Sequence, residues 1–215
     1  MMKIEKSITA SFDVDPQCGF TFLCPDELPI YQGDEIADEL NAQAQFASYR
    51  LVSKDSHPAD ALWITNKAEE IMTPVEGYHP DLDIKWPAHC IVGTKGNQLI
   101  PGLPEEKNYD LLIEKGVEAH KHPYGACYHD LANNESTGVI EWLKQRNIEV
   151  VIVGGLATDF CVKTTVLQLR EAGFKVIVNL VACRGVDSET SKLACDEMRD
   201  AGVELINASS DLEAL

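Results

Sequence analysis

One stretch of the 215-residue chain restricts its fold more than any other: residues 150–161, with the sequence VVIVGGLATDFC. The β-branched run at its start is typical of a strand that is buried on both faces of a parallel sheet. Two glycines end that strand, and Thr158 or Asp159 is suited to cap a helix that follows. Cys161 is therefore expected in the first helical turn beyond the carboxyl end of a strand, where open α/β sheets bind their ligands.

A cysteine in that position has two interpretations. The free N–H groups and the positive end of the helix dipole favour a thiolate there, and the same N–H groups could hold an oxyanion. The alternative is a small buried side chain without a chemical role, which is the usual state of a free cysteine. The position of Cys161 alone leaves both interpretations open.

The rest of the chain alternates between strand and helix patterns. Strands are predicted at residues 7–14, 49–54, 109–115, 150–155, 175–181 and 204–207, and helices at residues 34–48, 135–146, 158–172 and 190–201. This order predicts a three-layer, Rossmann-like α/β fold, with a mostly parallel six-stranded sheet and helices on both faces. We expect one domain over residues 1–215, in which the irregular stretch 55–108 forms a functional lid loop.

The net charge and the cysteine content limit which partners the chain is expected to bind and in which compartment it is expected to lie. The net charge of −17 argues against nucleic acid, because a polyanion needs a basic binding surface, and against an anionic membrane surface. Residues 1–6 lack the apolar core of a signal peptide, and no apolar run is long enough to span a membrane. Seven scattered cysteines, an odd count, indicate reduced thiols in the cytoplasm. The oligomeric state stays open, and a homo-oligomer is one alternative.

Four of the predicted strands end in a residue with useful chemistry. Asp15 follows the first strand, Asp55 the second, Lys115 ends the third and Cys161 follows the fourth. Because the carboxyl ends of parallel strands lie on the same edge, these side chains are expected to meet in one cleft. Asp15 could then accept the thiol proton of Cys161, and Lys115 could stabilise both groups. Alternatively, Asp15 is only a turn residue before Pro16, and Lys115 is only a solvated charge at a strand end.

A second set of residues has the composition of a metal site. Asp55 and His57 alternate along one extended edge, and His89 is a third candidate ligand. One carboxylate with two imidazoles suits Zn²⁺, Fe²⁺ or Mn²⁺ with positions left for water or substrate. An ordinary polar loop is the alternative. We interpret a further histidine group as part of a solvated loop: His120, His122 and His129.

Aromatic residues flank both sets. They are Phe20, Trp86, Tyr124 and Tyr128. Such residues commonly anchor loops or fill a core, but together they could also form a slot for a flat ring.

Five segments resemble the isochorismatase-like cysteine hydrolases, and in particular their nicotinamidase branch. In chain order they are residues 14–20 (VDPQCGF), 54–58 (KDSHP), 86–94 (WPAHCIVGT), 115–116 (KG) and 155–162 (GLATDFCV). The resemblance extends from about residue 7 to residue 207, and the order of five motifs makes it specific.

The resemblance implies a role for each matching residue. The catalytic triad would be Asp15, Lys115 and Cys161, and the metal ligands would be Asp55, His57 and His89. The backbone N–H groups of Ala157 and Cys161 would form an oxyanion hole, with a cis peptide bond between Leu156 and Ala157. Phe20 and Trp86 would enclose a pyridine ring, with Tyr124 beside them.

The implied activity is a metal-assisted amidohydrolase that converts nicotinamide to nicotinate and ammonia through a thioester, as in NAD salvage. The predicted ion is Zn²⁺, with Fe²⁺ and Mn²⁺ as alternatives. Two other functions remain open. The chain could be a hydrolase of the same superfamily that acts on a different small amide or on isochorismate, or it could be a non-catalytic metal- or thiol-binding protein.

Three positions depart from the family pattern. Cys18-Gly19 stands where Asn-Asp is frequent, and His122-Pro123-Tyr124 stands where many members have Asp-Ser-Tyr. Some members add a third metal-binding histidine near the position of Trp63. These differences are expected to change the pocket rim and the metal ligands more than the chemistry.

Overall fold

A single parallel sheet organises the protein, whose structure is a computed structural model that describes residues 4–77 and 79–214. The strands are β1 (Thr9–Val14), β2 (Tyr49–Asp55), β3 (Leu111–Lys115), β4 (Val150–Leu156), β5 (Lys175–Arg184) and β6 (Glu204–Ile206). Their order is β3-β2-β1-β4-β5-β6, and every neighbouring pair is parallel. The predicted α/β fold is thereby confirmed.

Four helices cover the sheet: α1 (Ala37–Ala44), α2 (Val139–Gln145), α3 (Lys163–Glu171) and α4 (Ser188–Asp200). Three of them, α1, α2 and α3, are shorter than the periodicity predicts. After α1 the chain continues in tight turns, whose N–H groups bond to the carbonyls of Ala42, Gln43 and Ala44. Gly138, at a φ of 89°, delays the start of α2. The start of α4 lies two residues before the predicted one, because the Asp187 side chain caps the N–H groups of Glu189 and Thr190.

The segment that carries Cys161 differs from the prediction. An α-helix was expected from residue 158, but Thr158–Val162 forms a π-helical turn and α3 begins only at Lys163. The Ala157 carbonyl accepts the N–H groups of Phe160 at 3.1 Å and Val162 at 3.0 Å. This wider turn replaces the regular α-helical bonding around the cysteine. Turns of this kind are frequent at functional sites.

The β-branched run of β4 contributes to two apolar layers. Val151 and Val153 pack in one cluster with α2, α3 and α4. Val150 and Ile152, which point to the opposite face, pack in another with the C-terminal residues. Both faces of the central strands are therefore covered, which explains why the run is apolar throughout rather than alternating. In the described ranges, no helix has the length and apolar character needed to cross a bilayer.

The strand order places the candidate residues at one crevice. From β1 the chain proceeds to β2 and β3 on one side, whereas from β4 it proceeds to β5 and β6 on the other. Ligands of open α/β sheets bind where the order reverses in this way. Asp15 follows β1 and Cys161 follows β4, so both lie at this reversal. Beyond β2, residues 56–77 and 79–108 cross the same edge, and these described residues form only short 3₁₀ turns and isolated bridges.

The contact between β1 and β4 requires a glycine at position 155. Gly155 has a φ of 139°, and a Cβ there would overlap the carbonyl of Val14. We predict that Gly155→Ala lowers the free energy of unfolding by at least about 3 kcal/mol, because backbone must move. Gly173→Ala is the matched control, since Gly173 also has a positive φ of 96° but open space around it. Its expected cost is about 1 kcal/mol.

Urea unfolding followed by circular dichroism measures both values. Equal losses in the two variants would show that the approach of the two strands does not constrain the fold.

Candidate active site

The ammonium group of Lys115 lies at the centre of the crevice. It ends β3 and is completely buried. Its Nζ lies 2.5 Å from Asp55 Oδ1, 3.0 Å from Asp15 Oδ2 and 3.6 Å from Cys161 Sγ. The predicted meeting of four strand ends is therefore observed. An ammonium, two carboxylates and a thiol share one buried cluster.

Charge and burial set the proton affinities in this cluster. Burial lowers the pKa of Lys115, but the carboxylates of Asp15 and Asp55 outweigh it and hold that pKa well above its usual value. Burial raises the pKa of Asp55, yet the Lys115 ammonium and His57 hold it well below the usual range. Asp15 behaves differently, because burial raises its pKa more than Lys115 lowers it. The two carboxyl groups are thus tuned in opposite directions.

The thiol of Cys161 is protonated in this environment. Burial and the carboxylates of Asp15 and Asp55 raise its pKa well above the usual value, although Lys115 lowers it. The expectation that a helix start would favour a thiolate is wrong for the resting protein. The reason is physical: the side chain is only 6% exposed, and a buried anion is costly unless it is paired. A nearby base is needed to remove the proton.

The structure holds Asp15 in an unusual conformation. Its φ is 44°, which L residues adopt rarely. Three hydrogen bonds to Ser53 maintain it. The Asp15 N–H donates to the Ser53 carbonyl at 3.1 Å and to Ser53 Oγ at 3.3 Å, and Ser53 Oγ donates to Asp15 Oδ1 at 2.6 Å. Oδ2 is thereby directed at Lys115. Sequence reasoning did not identify Ser53, which lies inside β2 and matches no motif.

Two further residues missed by sequence reasoning connect the strand ends. The Gln17 side chain accepts the Asp55 N–H at 2.7 Å and donates to the Asp55 carbonyl at 2.8 Å. Asn97 Nδ2 donates to the same carbonyl at 2.7 Å. Gln17 was visible in the first motif, but nothing local shows that Asn97 returns to this point from about 40 residues away.

His57 and His89 lie beside the Lys115 cluster and have matching orientations. The Nδ1–H of His57 bonds to the Gly116 carbonyl at 3.0 Å, and the Nδ1–H of His89 bonds to the Pro87 carbonyl at 2.7 Å. Both Nε2 atoms therefore keep their lone pairs. His57 Nε2 is buried without a hydrogen-bond partner and lies 3.5 Å from Asp55 Oδ2. Imidazoles that bind a metal commonly donate their other ring N–H to a carbonyl in this way, so the residues fit a divalent metal.

Gly116 makes this arrangement possible. Its φ is 65°, and a Cβ at this position would overlap the imidazole of His57. The glycine after Lys115 therefore lets the chain pass directly against the first histidine. Burial lowers the pKa of His89 to about 3, which keeps His89 neutral as a metal ligand must be.

The interpretation of His122 as a residue of a solvated loop is wrong. His122 is 3% exposed, and its nitrogen joins those of His57 and His89 in a group whose ligand atoms all lie within 4.8 Å of one another. Trp63, completely buried, packs against all three imidazole rings. His120 does remain at the surface, where its side chain is 62% exposed beside Glu118.

A cleft of about 320 Å³, including its open mouth, adjoins both clusters. The predicted residues that line it are Phe20, Asp55, Trp86, His89, Tyr124, Ala157 and Cys161. Leu28, His122, Phe160 and Val186 complete the lining and were not predicted. The walls are mainly apolar, which suits a small flat molecule. Tyr128, the fourth predicted aromatic, is not among the lining residues.

Hydrogen bonds fix the aromatic wall. Trp86 Nε1 donates to Tyr124 Oη at 3.2 Å, and Tyr124 Oη donates to Asp83 at 2.8 Å. Phe160 packs edge-on against Trp86, with 5.0 Å between ring centroids. The ring centroid of Phe20, another lining residue, lies 5.3 Å from that of His89. Ala157, which also lines the cleft, is joined to Leu156 by the predicted cis peptide bond.

The substitution at Cys18-Gly19 does not reach the cleft, contrary to expectation. Neither residue is among the lining residues. A Cβ at Gly19 would overlap the Glu27 carboxylate, which accepts the Cys90 N–H at 2.8 Å. Gly19 therefore leaves room for Glu27, which supports the loop that carries His89.

Comparison with known proteins gives one consistent family. The model described as Isochorismatase domain matches residues 34–210. The nicotinamidase of Escherichia coli (strain K12) is 33% identical over 187 residues, which cover 83% of this chain and 85% of that protein.

Solved structures agree with this result. The Acinetobacter baumanii nicotinamidase pyrazinamidease has a TM-score of 0.84 and 32% identity, and the match covers 96% of this chain and 98% of that one. L. infantum PnC1, solved in complex with nicotinate, has a TM-score of 0.81 and 28% identity, and the match covers 97% and 96% of the two chains.

The charges around Cys161 predict how its reactivity depends on pH. Asp15 raises and Lys115 lowers the pKa of the thiol. Asp15→Asn should therefore increase the rate of Cys161 alkylation at neutral pH by about tenfold or more, and Lys115→Met should decrease it by a similar factor. Mass spectrometry after iodoacetamide treatment over a pH series measures the rate.

Cys24, a half-buried thiol elsewhere in the chain, is the internal control and should react equally in all three proteins. Changes of the same sign in both variants would contradict the electrostatic account of the cluster.

Proposed function

The chain belongs to the isochorismatase family, and we propose that it is an amidohydrolase that converts nicotinamide to nicotinate and ammonia. The observation that carries this proposal is the buried cluster of Lys115, Asp15 and Cys161 beside an apolar cleft that Cys161 lines. The E. coli relative is a nicotinamidase at 33% identity, and L. infantum PnC1 binds nicotinate. Both relatives favour a pyridine amide as the substrate.

The proposed metal ligands are Asp55, His57 and His89. The donor set of one carboxylate and two imidazoles, together with the unpartnered Nε2 of His57, supports Zn²⁺, with Fe²⁺ and Mn²⁺ as alternatives. When bound, the metal would attract the pyridine nitrogen and so hold the ring in one orientation.

The aromatic side chains are proposed to position the substrate ring. Phe20 and Trp86 both line the cleft, and Tyr124 is hydrogen-bonded to Trp86. A flat ring between them would present its carboxamide to Cys161. Holding the amide near the nucleophile in this way lowers the entropic part of the barrier.

The proposed first step forms a thioester. Asp15, whose pKa is raised by burial, accepts the proton of Cys161, and the thiolate attacks the carboxamide carbon. A base with a raised pKa is better matched to this transfer near neutral pH. The backbone N–H groups of Ala157 and Cys161 would stabilise the developing oxyanion. Asp15 then gives the proton to the departing ammonia, and the C–N bond breaks.

The proposed second step hydrolyses the thioester. Asp15 takes a proton from water, the hydroxide attacks the thioester carbon, and the C–S bond breaks. Nicotinate leaves, and the proton returns to the Cys161 sulfur. Throughout both steps Lys115 keeps its charge, since Asp15 and Asp55 hold its pKa high. Lys115 thereby stabilises the negative charge, whether Asp15 or Cys161 carries it.

The proposal extends to the organisation of the chain. Residues 1–215 would form one catalytic domain, and the stretch 55–108, which supplies Trp86 and His89 to the cleft, would act as its lid loop. The free cysteines are compatible with the reducing cytoplasm expected for a pathway of NAD salvage.

We predict that Cys161→Ala decreases kcat for nicotinamide by more than about 10³-fold, because it removes the nucleophile. Metal content should not change, since none of the proposed ligands is altered. Cys127→Ala is the matched control, because Cys127 is also a buried thiol but does not line the cleft. Ammonia release and metal analysis measure both variants.

Substrate identity is tested with the metal-loaded wild-type protein. Ammonia release from nicotinamide that stops after chelation supports the proposal. Release from other small amides but not from nicotinamide would overturn the substrate and keep the amidase. Full activity of Cys161→Ala would contradict the triad.

A further inference from the structure

We propose that His122 is a protein ligand of the same divalent metal, so that the ion has three imidazoles and one carboxylate around it. This inference rests on the metal site of the proposed function. The main observation that supports it is that His122 converges with His57 and His89: the ligand atoms of the three histidines all lie within 4.8 Å of one another. His122 comes from the segment that follows β3, far in sequence from the other two histidines.

The separation of the nitrogens fits a shared ion. Two imidazole nitrogens that each lie about 2.0–2.1 Å from a tetrahedral zinc are about 3.3–3.4 Å apart. The histidine ligand atoms, which all lie within 4.8 Å of one another, would therefore approach by up to about 1.5 Å when the ion binds, a distance that side-chain rotation can supply. The ring centroids of His122 and His57 are only 5.3 Å apart, and those of His122 and His89 are 6.0 Å apart.

One ring nitrogen of His122 has no partner in the described part of the protein. The side chain is 3% exposed, and its Nδ1 is buried without a hydrogen-bond partner among the residues described. A buried nitrogen without a partner costs about 1–3 kcal/mol, and most buried polar atoms in proteins are paired. A metal ion in the group would satisfy the lone pairs of all three imidazoles at once.

The backbone holds His122 in place before any ion binds. Its N–H donates to the Asp81 carbonyl at 2.9 Å. The carbonyl of the next residue, Pro123, accepts a bond from Lys115 Nζ at 3.3 Å. The imidazole also packs on Trp63, with ring centroids 4.3 Å apart. Bonds on both sides and an aromatic support behind the ring are what a preorganised ligand requires.

A purely structural role for His122 is the competing explanation. In that case the ring would only fill space between Trp63 and the aromatic wall. Phenylalanine would then replace it well, because a flat ring of similar size keeps the packing and removes the unpaired nitrogen. His122→Phe therefore separates the two roles.

Zinc binding gives the first test. The affinity of His122→Phe for Zn²⁺ should be lower than that of the wild type by more than about 100-fold, since even residues behind metal ligands typically contribute about 10- to 100-fold. His120→Phe, the same substitution on the same loop at an exposed position, should bind zinc like the wild type. The loss for Mn²⁺ should be smaller, because manganese depends less on imidazole ligands.

X-ray absorption of the zinc-loaded proteins gives the second test and does not depend on the stability of a variant. The proposal predicts three imidazoles around zinc in the wild type and in His120→Phe, and two in His122→Phe. Two imidazoles in the wild type, or equal zinc affinities of the two variants, would overturn it.

Neither measurement uses nicotinamide, so the proposed function and the role of His122 can be refuted independently of each other. Three bound imidazoles without ammonia release would support His122 as a ligand and contradict the proposed function. Ammonia release with only two bound imidazoles would keep the proposed function and overturn the role of His122.

Discussion

The site depends on one buried positive charge, the ammonium of Lys115. Removing such a group from water costs several kcal/mol, which close pairing must offset. Asp55 and Asp15 provide that pairing at 2.5 Å and 3.0 Å. Although both carboxylates face one ammonium, their proton affinities separate because His57 also lies beside Asp55: Asp55 stays ionised, whereas burial raises the pKa of Asp15. A permanent anion and a usable base thus come from two residues of the same type.

The topology of the sheet makes this pairing possible. Parallel strands bring their carboxyl ends to one edge, and the reversal between β1 and β4 opens a crevice there. Asp55 then connects the two parts of the site, since Oδ1 contacts Lys115 and Oδ2 lies 3.5 Å from His57 Nε2. The charge cluster and the histidine group share this carboxylate, so a change in one is expected to alter the other.

Sequence patterns predicted the parts of the structure that depend on local periodicity and on strand ends. The buried run of β4, the order of elements and the meeting of Asp15, Lys115 and Cys161 followed from such patterns. The π-helical turn at Thr158–Val162 did not, because it depends on which N–H groups reach one carbonyl. The burial of His122 could not be predicted either. It results from two irregular loops that meet at Trp63, and irregular loops carry no period from which their path can be read.

The central claim is that Cys161 attacks the amide while Lys115 and Asp15 control its proton. The most direct measurement is mass spectrometry of the protein after rapid acid quenching with nicotinamide. The account predicts a nicotinoyl thioester on Cys161 in the wild type, and none in Lys115→Met at the same quenching time. Ammonia release without an adduct, or an adduct on another residue, would contradict it.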